Sequence, residues 1–272
     1  MSPLSGTSPP EPRLFLRAGG TVETYRAALP DGRDVVVKRL VPERAAADPV
    51  GARRFGREKR LAEVLRHPSL PCLIATGDGW MASERLEGCL LESSRRENMT
   101  VAGSMALLGA LAGVLAHVHA QGVVHRDIKP GHVMFRGNLP VLIDFGIAGL
   151  RCEDDPLAGS EFSGSPAWMA PEQIAGDPGG PEADTWALCA LGLWLLTGVR
   201  PYSGPAQEVL ARRRAGEQPR FEWERACKAA PPSLVELLRA GLGEAATRPA
   251  SAELSRFLAV RRSPVPEPDA VS

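Results

Sequence analysis

The sequence predicts an α+β fold of two lobes, a small β-rich N-terminal lobe and a larger helical C-terminal lobe. Three observations carry this. From Leu14 to about Leu86 β-branched and turn residues alternate, whereas from Val101 onward apolar residues recur at three- and four-residue intervals. The chain has 272 residues with 44% hydrophobic and 24% charged content, enough to bury a sizeable core in one large unit or two lobes.

Taken in chain order, Met1 to Pro12 is rich in Ser and Pro without an apolar core, so residues 1–11 are expected to be disordered, neither signal peptide nor anchor. Thr21 to Leu29, the turn Pro30-Asp31-Gly32-Arg33 and the run Val35-Val36-Val37 read as a hairpin. One helix interrupts this sheet, Pro49 to Arg66, with Phe55, Leu61, Val64 and Leu65 as its apolar positions and His67-Pro68 as its stop. Ser104 to Gln121 carries Met105, Leu108, Leu111, Leu115 and Val118 at helical spacing and closes at Gly122. Further helices are expected near Glu182–Thr197, Ala206–Ala215, Ser233–Gly241 and Ala252–Arg261. The tail, residues 263–272, holds Pro264, Pro266 and Pro268 and reads as unstructured. The folded unit therefore runs from 12 to 262, with lobes of about 12–86 and 87–262.

Composition excludes some functions. The 32 basic and 32 acidic residues cancel, so no global field draws the chain to nucleic acid or an anionic membrane. Five cysteines without a C-x-x-C pair suit a reducing compartment better than a disulfide or zinc framework. The longest apolar run recognised, Trp186 to Thr197, falls short of the roughly twenty residues a bilayer needs, so no membrane span is expected.

The chemistry lies in His125-Arg126-Asp127-Ile128-Lys129-Pro130, followed by Asp144-Phe145-Gly146 and then by Ala170-Pro171-Glu172. A positioned carboxylate accepts a hydroxyl proton, a basic neighbour steadies a transferring phosphoryl group, and a second carboxylate holds a charge-neutralising metal. With these three motifs in this order the chain resembles the bacterial eukaryotic-like (Hanks-type) serine/threonine protein kinases, which implies a bilobal protein-kinase-like fold.

The resemblance covers about Pro12 to Arg262 and assigns roles. Asp127 is implied as general base and Lys129 as the γ-phosphate contact. Lys38, at the end of Val35-Val36-Val37, is implied to bind the α/β-phosphates and to pair with Glu58 of the following helix. Asp144 is implied to coordinate magnesium. Adenine is expected against the connector Glu84 to Gly88, with Glu84 and Leu86 as contacts and Ser83 guarding the deeper pocket. Glu172 with Arg248, and Asp184, match structural supports. In the activation segment, Gly146 to Ala170, Ser160 and Ser163 are candidate phosphosites facing Arg126, with the acidic Glu153, Asp154 and Asp155 as the alternative source of charge. Ser165 matches a residue that faces Asp127 and Lys129.

Two departures stand out. Of the glycine-rich loop only Gly19 and Gly20 remain, because Arg17 and Val22 stand where glycines are expected. The asparagine that holds a second metal is replaced by His132, an imidazole that suits softer ions, so either one metal site is empty or preference moves from Mg2+ toward Mn2+. The resemblance implies ATP as cofactor, a protein substrate with a Ser/Thr acceptor and a cytoplasmic location. It leaves open whether two copies pair to phosphorylate each other. The alternative reading is a pseudokinase acting as a nucleotide-binding or scaffold module.

Overall fold

The N-terminal lobe is one six-stranded sheet in the order β1-β5-β6-β4-β3-β2, formed by β1 (Leu4–Ser5), β2 (Leu14–Arg17), β3 (Val22–Ala28), β4 (Asp34–Leu40), β5 (Leu73–Gly77) and β6 (Trp80–Glu84). The computed structural model describes residues 4–6, 8–17, 20–94, 99–150 and 164–259. The expected hairpin is β3–β4, paired from Val22↔Leu40 to Ala28↔Asp34. Gly32 in its turn has φ +86, a left-handed conformation that a residue without Cβ adopts at little cost. Strand alternation buries Tyr25, Val35, Val37, Trp80 and Ala82 on one face, which leaves Lys38 on the other. Between β4 and β5 run α1 (Pro42–Ala47) and α2 (Pro49–Val64). The side chain of Asp48 accepts the Gly51 N–H at 2.8 Å and caps α2, and Phe55, Arg57, Glu58 and Leu61 form its buried face. Phe55 packs with Leu73 and Met81 beneath the sheet.

The C-terminal lobe is helical. After α3 (Leu91–Ser94) comes α4 (Val101–Ala120), then β7 (Val123–Val124), the hairpin β8 (Val133–Arg136) and β9 (Leu139–Leu142), and β10 (Gly149–Leu150), which pairs with β7. Helices α5 (Pro171–Ile174), α6 (Pro181–Thr197), α7 (Ala206–Arg214), α8 (Trp223–Ala229), α9 (Pro232–Gly241) and α10 (Ser251–Ala259) complete it. Helix α6 is the axis of the lobe: fourteen of its 17 residues are buried, so its neighbours surround it. Helix α4 packs on α6 and α10, and α9 packs on α6. Near-continuous apolarity of α4 and α6 therefore reflects burial on most sides.

The structure departs from the sequence reading in several places. The N-terminus is not structureless: Leu4 and Ser5 add a parallel strand to β5, paired with Ala75 and Thr76, and the Tyr25 hydroxyl donates to Pro10 O at 3.1 Å. Short polar segments escape periodicity because backbone pairing and a few anchors hold them. Helix α1 was not expected; it is a six-residue element started by Pro42 at N1. Helix α8 was also unanticipated. Finally, α4 is 20 residues long and by length and composition could cross a membrane, contrary to the expectation that no segment could. Half of its most apolar stretch is buried inside the lobe, and its packing is that of a core helix. The tail, 263–272, lies outside the described residues.

Helices α6 and α9 are in tight contact at Gly241, where an added Cβ would collide with the Cys189 sulfur and sit 3.1 Å from Cys189 Cβ. Elsewhere in a helix Gly→Ala stabilises by about 1 kcal/mol, but overpacking a tight contact costs about 1–3 kcal/mol. Gly241→Ala is therefore expected to lower unfolding stability by about 1–2 kcal/mol in denaturant titration.

Candidate active site

Three elements converge on Lys38. It projects from β4 between Thr24 of β3 and Met81 of β6, and its Nζ donates to Glu58 Oε1 of α2 at 2.5 Å and to Asp144 Oδ1 at 3.2 Å. Burial opposes the ammonium charge, but the Glu58 and Asp144 carboxylates outweigh it and hold the Lys38 pKa above its ordinary value. For Asp144 burial is likewise outweighed, chiefly by Lys38, and its pKa lies well below the usual range. Glu58 is pushed up, first by burial and then by Asp144 despite Lys38. One ammonium thus bridges two carboxylates from different parts of the chain.

The segment after β7 is held by a buried aspartate. Asp184, in the first turn of α6, accepts the backbone N–H of His125 at 2.8 Å and of Arg126 at 2.7 Å, and His119 Nε2 of α4 donates to it at 2.8 Å. Burial alone would raise the Asp184 pKa; these donors lower it instead. The bonds fix Arg126 at φ 68, a conformation disfavoured for a residue with Cβ, and Gln173 Nε2 donates to its carbonyl at 3.2 Å. Asp127 follows, 7% exposed. Lys129 Nζ donates to Asp127 Oδ2 at 2.7 Å and to Ser165 Oγ at 2.6 Å, while the Ser165 N–H donates to Asp127 Oδ1 at 3.1 Å. A carboxylate, an ammonium and a hydroxyl are thereby locked at the mouth of the cleft.

His132 links the two aspartates. Its Nδ1 lies 2.9 Å from the Asp127 carbonyl and its Nε2 lies 3.5 Å from Asp144 Oδ2. Burial lowers its pKa, so the ring is neutral at pH 7; Nδ1–H donates to the carbonyl and the Nε2 lone pair faces the carboxylate. Asp144 also has φ 68 and turns Oδ1 to Lys38 and to the Gly146 N–H at 3.2 Å, leaving Oδ2 toward His132. A nitrogen and an oxygen thus face each other at 3.5 Å, and the Asp127 carbonyl fixes the tautomer.

Most of the residues expected in the site meet there: Lys38, Glu58, Asp127, Lys129, His132 and Asp144, with Ser165 beside them. Arg248 grips Glu172 bidentately, Nη2 to Oε2 at 3.0 Å and Nη1 to Oε1, and also donates to the Glu182 and Gly243 carbonyls. Glu84 stands at the start of the expected connector, and its carboxylate accepts from Arg136 and from the Cys72 N–H at 2.7 Å. Only the Glu84 backbone stays in the connector with Leu86, which is partly buried. Gly20 O accepts Arg44 Nη1 at 3.2 Å on the exposed side of α1. Gly19, Ser160, Ser163, Glu153, Asp154 and Asp155 lie outside the described residues. Sequence reasoning missed His119, Arg136 and Arg213, whose guanidinium donates to Pro166 O at 2.6 Å and Met169 O at 2.7 Å. His119, in the last turn of an apolar helix, was the detectable one.

Residues 17–256 match the family described as Protein kinase domain. Among curated proteins the chain is 32% identical over 210 residues to the probable serine/threonine-protein kinase PkwA of Thermomonospora curvata, covering 75% of this chain and 28% of that one. It is 34% identical over 197 residues to the serine/threonine-protein kinase PkaA of Streptomyces coelicolor, covering 68% and 36%. To PknH of Mycobacterium tuberculosis it is 32% identical over 205 residues, covering 73% and 33%. The chain thus spans about a third of the length of these relatives.

His125 sets a pH limit on the site. Its ring packs on Phe145 with centroids 4.6 Å apart, its Nδ1 accepts the Asp127 N–H at 3.3 Å, and its buried Nε2 has no partner among the described residues. Burial, opposed by Asp184, Asp127 and Asp144 and aided by His132, lowers its pKa to about 4. Above about pH 6.5 folded and unfolded chains both carry a neutral ring, whereas between about 6.5 and 4 only the unfolded chain binds the proton. Stability should fall as pH drops through that window, by up to about 3 kcal/mol from this group. Denaturant titrations at pH 7 and 5 should show His125→Phe losing about one proton's worth of slope; equal slopes would refute the assignment.

Proposed function

This chain belongs to the protein kinase family, and we propose that it transfers the γ-phosphoryl group of ATP to serine or threonine hydroxyls of a protein substrate. The observation that carries the reading is the assembly of two charge systems in one cleft: Lys38 on Glu58 and Asp144, and Lys129 on Asp127 and Ser165. In the relatives' names the same activity is printed.

Lys38, held by Glu58, meets the α/β-phosphates as an already ordered cation. Asp127 orients the acceptor hydroxyl and takes its proton as the new O–P bond forms and the bond from the γ-phosphorus to the β–γ bridging oxygen breaks, with ADP as the leaving group. Lys129, within reach of Asp127 Oδ2, balances charge on the transferring group. A divalent cation, held by Asp144 Oδ2 and His132 Nε2 and by phosphate oxygens, would neutralise the phosphate charge. The imidazole in that set favours Mn2+ over Mg2+, which prefers oxygen ligands. The substitutions at Arg17, Val22 and His132 are what a pseudokinase reading rests on. Ordered placement of both aspartates favours catalysis. Cys72, Cys189 and Cys227 are free thiols, which fits work in the reducing, ATP-containing cytoplasm.

With labelled ATP and a generic Ser/Thr protein substrate, Asp127→Asn should lower phosphate transfer about a hundred- to ten-thousandfold without loss of nucleotide binding. Transfer by wild type equal to that of Asp127→Asn would favour the scaffold reading. His132→Asn should raise the Mg2+-supported rate and shrink the Mn2+ advantage, and weaken Mn2+ binding followed by the electron paramagnetic resonance of the free ion. An unchanged metal preference would remove His132 from the ion's ligands.

A further inference from the structure

Arg136, the last residue of β8, lies behind the connector between the lobes and touches nothing in the cleft. Its Nη1 donates to Pro68 O at 2.5 Å, its Nη2 to Leu70 O at 3.3 Å and to Glu84 Oε1, and its Nε to Glu84 Oε2 at 3.2 Å. Glu84 Oε1 in turn accepts the Cys72 N–H at 2.7 Å, and the Glu84 N–H donates to Cys72 O at 2.9 Å. A C-lobe hairpin, the loop that leaves α2, and the last residue of β6 are thus joined through one guanidinium. The Leu142 N–H adds a backbone tie to Ser69 O at 2.9 Å. On the other side, Arg85 donates to Asp34 Oδ2 of β4 at 3.1 Å. The connector is therefore held from behind at 84 and from in front at 85.

An isolated, partly exposed ion pair would contribute little. Here the guanidinium fork satisfies both carboxylate oxygens and two main-chain carbonyls at once, a geometry Lys cannot reproduce. These bonds restrain the connector at 84 and 85. We infer that Arg136 is a positioning residue that, acting through Glu84, presets the connector backbone for the adenine end of the nucleotide. This rests on the kinase reading, which puts adenine against that connector. Residues 52 and 68 positions apart thereby tune nucleotide affinity without meeting the nucleotide.

The test is calorimetry of the full chain with three probes: ATP, adenosine, and inorganic tripolyphosphate. Arg136→Met should weaken ATP and adenosine by the same factor, about tenfold, the factor that about 1.4 kcal/mol carries, and leave tripolyphosphate unchanged. Arg136→Lys, able to reach one carboxylate oxygen but not to span the site, should recover part of the loss. Glu84→Gln combined with Arg136→Met should add little to the single change, because both break one unit. In the transfer assay the loss should fall on KM for ATP rather than on kcat. Full adenosine affinity in Arg136→Met overturns the inference, and so does an equal loss for tripolyphosphate, which would mean general loosening of the lobes. If Arg136→Met does not fold by circular dichroism, Arg136→Lys decides alone: wild-type adenosine affinity overturns the inference and an intermediate value supports it. A wild type that binds neither ATP nor adenosine overturns the kinase reading itself and this inference with it.

Discussion

The ammonium of Lys38 is the point on which the two lobes agree. It lies on the sheet, its nearer partner Glu58 lies on α2, and its farther partner Asp144 belongs to the chain leaving β9. Taking three charges out of water is costly, and the arrangement holds only because each meets an opposite charge at hydrogen-bond distance. Removal of the lysine would leave two carboxylates facing each other in a poorly solvated cleft. The pair is accordingly a better indicator of lobe arrangement than of stability.

Asp184 plays the corresponding part for the loop below. Two backbone N–H groups and one imidazole converge on a carboxylate with no exposed surface, and the reward is a left-handed Arg126 that a free loop would not keep. Strain at Arg126 and at Asp144 frames Asp127 and His132. The positions that meet solvent and substrate are thus set by residues that meet neither.

Legibility in the sequence followed the range of the interaction. Helices α2, α9 and α10 were readable because an apolar period runs through each, α4 and α6 because their apolar stretches are of helical length, and the β3–β4 hairpin because Val35 and Val37 alternate with the cleft side around a Gly turn. Strand β1 and helix α8 were not, since Ser, Pro and charged residues there are ordered by neighbours distant in sequence. Within the site, local motifs located Asp127, Lys129, Asp144 and His132. Glu84 was legible as a connector position, but the direction of its side chain was not, because such a position says nothing of rotamer. Its partner Arg136 carries no motif, and its contacts lie 52 to 68 residues away.

Leu4 and Ser5 give β5 a neighbour on what would otherwise be the bare rim of the sheet, with Gly6 extending the ladder by one bond to Thr76 O. An unpaired rim offers its amides to any extended peptide, including another molecule of the same kind. With this short ribbon in place, a foreign strand seeking that rim of β5 must first displace it.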